Sequence, residues 1–329
     1  MKKNILVTGG AGFIGSHLCD SLLESGHKVT AVDNLVNGKL RNLEHALRNA
    51  NFTFLQEDIL DASKMVEITR GIDVIYHLAC LGVRHSIHSP RENHLVNAEG
   101  SLNMLEAARA NEVEHFYYIS TSEIYGDVQT FPISEEAVPL PKTVYGSSKL
   151  AGENYAYSYY QCYQLPVTVL RIFNNYGPRA HYEGDAGEII PRSIVNMLYG
   201  KNPIIFGDGT ITRDFFFVKD TANVLTGLLD IENLQGQIIN IGTGEEITTK
   251  NLMEKIIHLV NEGNTIEYLD DRPADVPRLW VDNSKFLKIT GFKSSITFDQ
   301  GLTETIHYYR ELKKSHNLIS EITTLNWTK

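Results

Sequence analysis

Short apolar runs alternate with amphipathic stretches of helical length through the first half of the chain. The runs lack polar alternation, which indicates strands that are buried on both faces of a parallel sheet. Right-handed crossovers through the intervening helices then predict an α/β fold with a doubly wound parallel sheet. The predicted strands are Asn4–Thr8, Lys28–Val32, Phe52–Leu55, Asp73–His77, Phe116–Ser120 and Val167–Ile172, and the main helices are Ile14–Leu23, Asn93–Arg109 and Tyr145–Tyr163.

A glycine-rich turn joins the first predicted strand to the first predicted helix. Its glycines have the spacing G-x-x-G-x-x-G and follow Thr8 directly. Such a turn lets the backbone approach a pyrophosphate closely and aims a helix N-terminus at the anion. Because a strand precedes the turn and a helix follows it, the pattern predicts a Rossmann-type dinucleotide site. The candidate contacts in the loop are Gly9, Gly12, Phe13, Ile14 and Gly15.

Residues at the ends of the next three strands extend this prediction to the cofactor. Asp33 follows the second strand, about 20 residues after the loop, where a carboxylate accepts hydrogen bonds from ribose hydroxyls and repels a 2′-phosphate. We therefore expect NAD rather than NADP. For His77, a ligand contact and a buried core histidine remain equal alternatives. The other candidate cofactor contacts are Asn34, Asp58, Ile59, Leu78 and Ala79.

The alternating pattern ends at about residue 172, after which glycine and proline cluster and irregular stretches join the helices. The run Gln237–Ile241 can return one strand to the sheet. We therefore expect residues 1–172, with a returning segment near 213–243, to form the NAD-binding Rossmann domain. Residues 173–212 and 244–329 are expected to form a smaller, discontinuous substrate-binding region.

Charge and composition exclude several other classes of protein. The chain has 30 Lys and Arg against 40 Asp and Glu, a formal charge of −10, which argues against a nucleic-acid binder that relies on a basic field. The sequence contains no run of 18 apolar residues, so no membrane span is predicted. Three widely separated cysteines, Cys19, Cys80 and Cys162, fit a reducing compartment and predict no metal site. We expect a cytoplasmic protein.

A candidate proton-transfer site lies at the predicted carboxyl edge of the sheet. Tyr145 and Lys149 share one face of a helix because they are four residues apart. An ammonium near a phenol lowers the phenol pKa from about 10, which makes a general base usable near neutral pH. The strand Phe116–Ser120 ends at the same edge, and two hydroxyls and a carboxylate follow it: Thr121, Ser122 and Glu123.

Several further motifs accompany the glycine loop and the Tyr145/Lys149 pair. They are Asn97–Gly100, Ser120–Gly126, Phe173–Pro178 and Gly207–Asp214. Together these residues resemble the extended short-chain dehydrogenases/reductases of the NAD-dependent epimerase/dehydratase family, which act on nucleotide sugars. The resemblance covers nearly the whole chain.

This resemblance implies roles for individual residues. Tyr145 would be the base that removes the proton of the sugar 4-hydroxyl, and Thr121 would hydrogen-bond the 4-oxygen. Lys149 would lower the pKa of Tyr145 and bind the nicotinamide ribose, and Asn97 would be a further cofactor contact. NAD would take the hydride from C4 and remain bound. The helices containing Asn97 and Tyr145 would form the contact of a homodimer.

The same resemblance implies where a nucleoside-diphosphate sugar binds. Arg213 and Arg278 match family positions that bind the diphosphate, which calls for bidentate cations. Asn174 would contact the diphosphate or the sugar. Arg84 belongs to Gly82–Ser86, a segment that resembles the uronate 4-epimerases.

Three reactions can follow oxidation at C4. Glu123 resembles the carboxylate that removes the C5 proton in sugar-nucleotide 4,6-dehydratases, where its neighbour, Ser122 in this chain, helps to expel the C6 hydroxyl. This favours a 4,6-dehydratase first. The segments Asp33–Leu35, Gly82–Ser86 and Asp271–Arg278 resemble 4-epimerases of the UDP-glucose or UDP-glucuronate type. UDP-glucuronate decarboxylation ranks third, and a non-catalytic NAD-binding protein is the alternative from another class.

Overall fold

A computed structural model of the chain describes residues 2–294 and 296–328. The strands are β1 (Asn4–Thr8), β2 (Lys28–Val32), β3 (Phe52–Leu55), β4 (Val74–His77), β5 (His115–Thr121), β6 (Val167–Ile172), β7 (Asn174–Tyr176), β8 (Ile204–Phe206), β9 (Thr212–Arg213), β10 (Phe215–Phe217), β11 (Ile238–Ile241), β12 (Ile247–Thr248), β13 (Glu267–Leu269) and β14 (Arg278–Leu279). The α-helices are α1 (Phe13–Glu24), α2 (Ala62–Ile68), α3 (Val83–His88), α4 (Pro90–His94), α5 (Gly100–Ala110), α6 (Val144–Tyr163), α7 (Ile189–Leu198), α8 (Val218–Gly227), α9 (Thr249–Val260), α10 (Ser284–Thr290) and α11 (Phe298–Lys313).

Seven of the described strands form one parallel sheet in the order β11-β6-β5-β4-β1-β2-β3. The direction of winding reverses between β1 and β4, whose last residues Thr8 and His77 are paired. In doubly wound sheets, ligands bind in the crevice outside the carboxyl ends of the strands at such a switch point. The predicted fold class is therefore confirmed, and its topology fixes where a ligand binds.

Helices cover both faces of this sheet because successive side chains of a strand point to opposite sides. Ile5 and Val7 are buried in one core together with Leu22 of α1. Leu6, between them, is buried in a second core with Leu105 of α5. Complete burial of such side chains contributes about 1.5–3 kcal/mol each, which explains the unbroken apolar runs.

A third core lies outside the sheet and belongs to the later part of the chain. It contains Ile194 of α7, Leu252 of α9 and Ile306 of α11, all buried. The strand β11 nevertheless returns to the main sheet and pairs with β6, at the position expected for the returning segment. The division of the chain into two domains at residue 172 stays a prediction.

The helix predicted over Asn93–Arg109 is interrupted. Its first part is α4, its last part is α5, and a π-helical turn over Leu95–Glu99 lies between them. Such turns occur frequently at functional sites. Across residues 2–294 and 296–328, no helix combines the length and the apolar character that crossing a bilayer requires.

Candidate active site

A cavity of about 530 Å³ opens at the carboxyl edge of the sheet. Residues that follow β1, β2, β4 and β5 line it, together with residues of α7, β8 and β9. Its volume is in the range of small-molecule and cofactor sites. The cavity therefore joins the predicted cofactor region to the later part of the chain.

The glycine loop lines the part of the cavity predicted to bind the cofactor. Gly9 adopts a positive φ of 69°, and a Cβ on this residue would lie 2.9 Å from the backbone nitrogen of Ala79. Only glycine fits here without displacing the neighbouring strand end. Gly12 immediately precedes α1, so the first amides of this helix face the cavity. The predicted loop residues Gly9, Gly12, Phe13, Ile14 and Gly15 all line it.

Asp33 presents a nearly buried carboxylate to the cavity. It accepts hydrogen bonds from the backbone nitrogens of Ala11 at 3.0 Å and Leu35 at 2.8 Å. Burial raises the pKa of Asp33, while these two hydrogen bonds act in the opposite direction. Next to it, Asn34 donates a hydrogen bond of 2.9 Å to Asp58. The predicted residues Asp33, Asn34, Asp58 and Ile59 all line the cavity.

The wall formed by Leu78 and Ala79 is held from behind by a buried hydrogen-bond chain. Thr8 Oγ1 accepts from the backbone nitrogens of both wall residues, at 3.2 and 3.3 Å. It also contacts His77 Nδ1 at 2.8 Å, and His77 Nε2 contacts Ser101 at 3.0 Å. Burial lowers the pKa of His77 to about 3, so the ring is neutral. Of the two alternatives for His77, the structure supports the core histidine, whereas Leu78 and Ala79 line the cavity.

Asn97, predicted as a cofactor contact, lies behind the residues that line the cavity. It is fully buried in the π-helical turn and is absent from the lining that the described residues form. Its side chain exchanges two hydrogen bonds with the backbone of Leu81, at 2.8 and 3.0 Å, and donates a third to Ser148 at 3.1 Å. The direct cofactor contact of Asn97 stays a prediction, and these hydrogen bonds favour a supporting role. Asn97 ties the cofactor wall to helix α6, which contains Tyr145 and Lys149.

The predicted proton-transfer residues meet on the cavity wall. Thr121, at the end of β5, and Tyr145, near the start of α6, both line the cavity. Burial raises the pKa of Tyr145 well above its usual value, and the nearby hydroxyl of Thr121 acts in the opposite direction. The ammonium of Lys149 lies 4.5 Å from the ring centroid of Tyr118. Burial is the largest influence on the pKa of Tyr145, and the charge of Lys149 instead acts on Tyr118, where it opposes the rise in pKa that burial causes.

Glu123 and Ser122 follow β5 but differ in position. Thr121 Oγ1 accepts a hydrogen bond from the Glu123 backbone nitrogen at 3.2 Å, which starts a single 3-10 turn. The turn places Glu123 in the cavity, where burial raises its pKa and Arg213 acts in the opposite direction. Ser122 is only 3% exposed and is not among the described residues that line the cavity. The catalytic role of Ser122 stays a prediction, and this buried position does not favour it.

The half of the cavity away from the glycine loop is rich in arginine. Arg213 is fixed by hydrogen bonds from its guanidinium to the carbonyl oxygens of Thr212 and Val276, at 2.8 and 2.7 Å. Burial lowers the pKa of Arg84 to about 9, and the Arg272 charge adds to this effect. Asn174 also lines the cavity, and its Oδ1 is buried without a hydrogen-bond partner. The four arginines that line the cavity are Arg84, Arg192, Arg213 and Arg272.

Arg278 lies elsewhere. Its Nε donates a hydrogen bond of 2.9 Å to Glu246, and its guanidinium lies over the rings of Phe131 and Trp280. It does not line the cavity in the described parts of the chain. The diphosphate contact of Arg278 stays a prediction, and Arg272, six residues earlier, is the arginine of this segment that lines the cavity.

The sequence did not single out Arg192 and Glu188, which also line the cavity. Burial raises the pKa of Glu188 to about 7, and His181 and Arg84 oppose this shift. Arg192 stands on the apolar helix α7, where an isolated arginine indicates a buried functional or structural cation. This position of Arg192 in an apolar helix was the sequence feature that could have identified it.

Comparison with known proteins agrees with this geometry. A family model described as GDP-mannose 4,6 dehydratase matches residues 6–305. A UDP-N-acetyl-alpha-D-glucosaminuronate decarboxylase from Bacillus cytotoxicus is 35% identical over 95% of this chain and 99% of that protein.

Solved structures extend the comparison to two other reactions. A UDP-glucuronic acid 4-epimerase from Bacillus cereus, in complex with UDP-glucuronic acid and NAD, has a TM-score of 0.89 and 32% identity over 94% of this chain and 99% of that one. A dTDP-glucose 4,6-dehydratase from Streptomyces venezuelae, with NAD bound, has a TM-score of 0.90 and 29% identity over 95% and 99%. The chain therefore belongs to the extended short-chain dehydrogenase/reductase family of NAD-dependent nucleotide-sugar epimerases, dehydratases and decarboxylases.

Proposed function

We propose that the protein is an NAD-dependent 4-epimerase of a nucleoside-diphosphate sugar. The observation that carries this proposal is that Thr121, Tyr145 and Lys149 line one cavity together with the glycine loop and Asp33. Four arginines line the same cavity. A sugar bound there has its 4-hydroxyl within reach of a phenol and beside the cofactor.

In this proposal, the side chains of the chain move one proton and hold the substrate. Tyr145 takes the proton of the 4-hydroxyl and later returns it, while Thr121 hydrogen-bonds the 4-oxygen. Lys149 binds the nicotinamide ribose, and Asp33 binds the adenosine ribose. Bound NAD would supply the acceptor and later the donor of the C4 hydride, which would make the cycle redox-neutral. The cation of the oxidised cofactor would also favour the phenolate that burial of Tyr145 opposes.

Arg213 and Arg272 are the proposed diphosphate contacts. Both line the cavity, and a guanidinium forms two parallel hydrogen bonds to phosphate oxygens. These side chains also supply local positive charge in a chain whose formal charge is −10. Arg84 and Arg192 leave two further cations for the sugar or for an acidic substituent on it.

The position of Ser122 supports epimerisation over the dehydration that the sequence favours. Loss of the C6 hydroxyl as water needs a proton donor next to the C5 base. Ser122 is a poor acid and is buried outside the cavity. Epimerisation requires no such donor, because the 4-keto sugar only has to turn over before the hydride returns.

A 4,6-dehydratase remains the second candidate because of Glu123. Its carboxyl group lines the cavity and has a raised pKa, which suits a base that removes the acidified C5 proton near neutral pH. Decarboxylation of a uronate is third, since C4 oxidation also labilises a C5 carboxylate.

Product analysis with a pair of variants tests the proposal. The purified protein is incubated with UDP-glucose, UDP-glucuronate, dTDP-glucose, GDP-mannose and CDP-glucose, and the products are analysed by mass and NMR. We expect an isomer of unchanged mass, formed equally by Glu123→Ala and by the matched control Ser122→Ala. Loss of water that Glu123→Ala abolishes would support the dehydratase instead, and loss of CO2 would support the decarboxylase. A protein that holds NAD but converts none of these substrates would contradict the enzyme proposal for them.

A further inference from the structure

The segment Thr323–Trp327 folds back from the end of the chain onto the substrate side of the cavity. Arg192 Nη2 donates hydrogen bonds to the carbonyl oxygens of Thr323 and Thr324, at 2.6 and 2.9 Å. Asn326 Nδ2 donates to the carbonyl oxygens of Gly184 and Gly187, both at 3.1 Å. The segment therefore holds one cavity arginine and the loop that leads into helix α7.

Trp327 makes the third contact, with Arg272. The guanidinium carbon of Arg272 lies 5.4 Å from the Trp327 ring centroid and 5.3 Å from that of Phe206. The two rings meet edge to face, with centroids 4.7 Å apart. Arg272 and Phe206 line the cavity, whereas Trp327 stands behind them. Two aromatic rings thus restrict an otherwise flexible side chain.

These contacts join elements that are distant in sequence. Arg192 belongs to α7, Phe206 ends β8, and Arg272 follows β13. Each guanidinium has its Nε buried without a hydrogen-bond partner. Thr323–Trp327 contacts both side chains, and Asp275 lies 3.5 Å from Arg272 Nη1 as a further contact.

We propose that Thr323–Trp327 is a positioning element, here named the tail clamp, which holds Arg192 and Arg272 ready for a nucleoside diphosphate. Trp327 acts through Arg272 and does not itself touch the ligand. The inference rests on the proposed function only in taking a nucleoside diphosphate as the ligand. It does not depend on which reaction follows at C4.

Calorimetric titration of the full chain with UDP, and in parallel with dTDP and GDP, tests this inference. We expect Trp327→Ala to weaken the binding of the diphosphate by about 10-fold, the loss of a partly desolvated cation–π contact. Trp327→Phe retains an aromatic face and should restore most of the affinity. The matched control is Leu325→Ala, in the same segment, whose side chain is 44% exposed. NAD content and the melting temperature should be equal in all four proteins.

A double-mutant cycle separates positioning from a general structural role. In the Arg272→Ala background, adding Trp327→Ala should weaken diphosphate binding by less than about twofold, because the effects of substitutions at contacting residues are not additive. Equal losses in both backgrounds, or unchanged affinity in Trp327→Ala, would overturn the inference and leave the proposed function standing. If the wild-type protein binds none of the three diphosphates, both the inference and the proposed function fail.

Discussion

Replacing Asn97 by alanine tests whether this residue supports the cofactor wall or binds the cofactor itself. The side chain satisfies the N–H and the C=O of Leu81, at 2.8 and 3.0 Å, and also reaches Ser148. All these hydrogen bonds are buried, and the C=O of Leu81 also accepts one of 2.9 Å from Asn93. We therefore expect a loss of stability first and a loss of cofactor affinity as its consequence.

The magnitude follows from the backbone N–H of Leu81, which loses its partner, whereas the C=O of Leu81 keeps the hydrogen bond of 2.9 Å from Asn93. A buried polar group left without a hydrogen bond costs about 1–3 kcal/mol. We therefore expect Asn97→Ala to lose about 1–3 kcal/mol in the free energy of unfolding. For a protein of this size the melting temperature should fall by roughly 1–4 °C.

Thermal unfolding of the cofactor-free protein measures the first effect, and fluorescence titration with NAD measures the second. The matched control is Asn111→Ala, which removes hydrogen bonds to Val66 and Thr69 at the far end of α5. Asn111→Ala should lower stability but leave NAD affinity unchanged. Weaker NAD binding by Asn97→Ala without any loss of stability would refute the wall-support role and restore a direct contact.

Three further predictions concern the cofactor, pH and assembly. Asp33→Ser should weaken NAD binding by about 10-fold or more and reduce the preference for NAD over NADP, because a charged hydrogen-bond acceptor is lost. Titration with both cofactors measures this preference, and an unchanged preference would contradict the role of Asp33. Burial raises the pKa of Glu188 to about 7 from an ordinary value near 4.5, so between these values the folded protein holds a proton that the unfolded chain releases. Stability should therefore fall as pH rises from about 5 to 7, and denaturant titrations should show a smaller fall in Glu188→Gln; an equal fall would exclude Glu188 as its source. Tyr157→Glu, on the exposed face of α6, should abolish the proposed homodimer in sedimentation velocity, whereas the similarly exposed Tyr268→Glu (45% against 47%) should not.

Local sequence was sufficient to predict the cofactor half of the site. The glycine loop needs only neighbouring residues, since Gly9 takes its positive φ within one turn. Asp33 follows directly from the end of a strand whose direction is fixed by the sheet. Thr121 and Tyr145 were predicted to meet because parallel strands and their following helices bring their ends to the same edge.

The substrate half depended on features that spacing does not encode. Ser122 and Glu123 are adjacent in sequence, and only the turn after β5 determines which of them faces the cavity. Arg272 and Arg278 lie in one irregular segment, and Glu246, distant in sequence, pairs with the second. The contact of Trp327 with Arg272 is likewise long-range. Tertiary packing determines these side-chain positions, and the periodicity of the sequence does not indicate them.

Conversion of UDP-glucose and UDP-glucuronate in D2O, followed by NMR of the product, tests 4-epimerisation directly. We expect inversion at C4 by the wild-type protein, no deuterium at C5, and conversion slower by about 10²–10⁴-fold in Tyr145→Phe. Deuterium at C5, or a product that has lost water or CO2, would contradict 4-epimerisation and assign Glu123 a direct part in the chemistry.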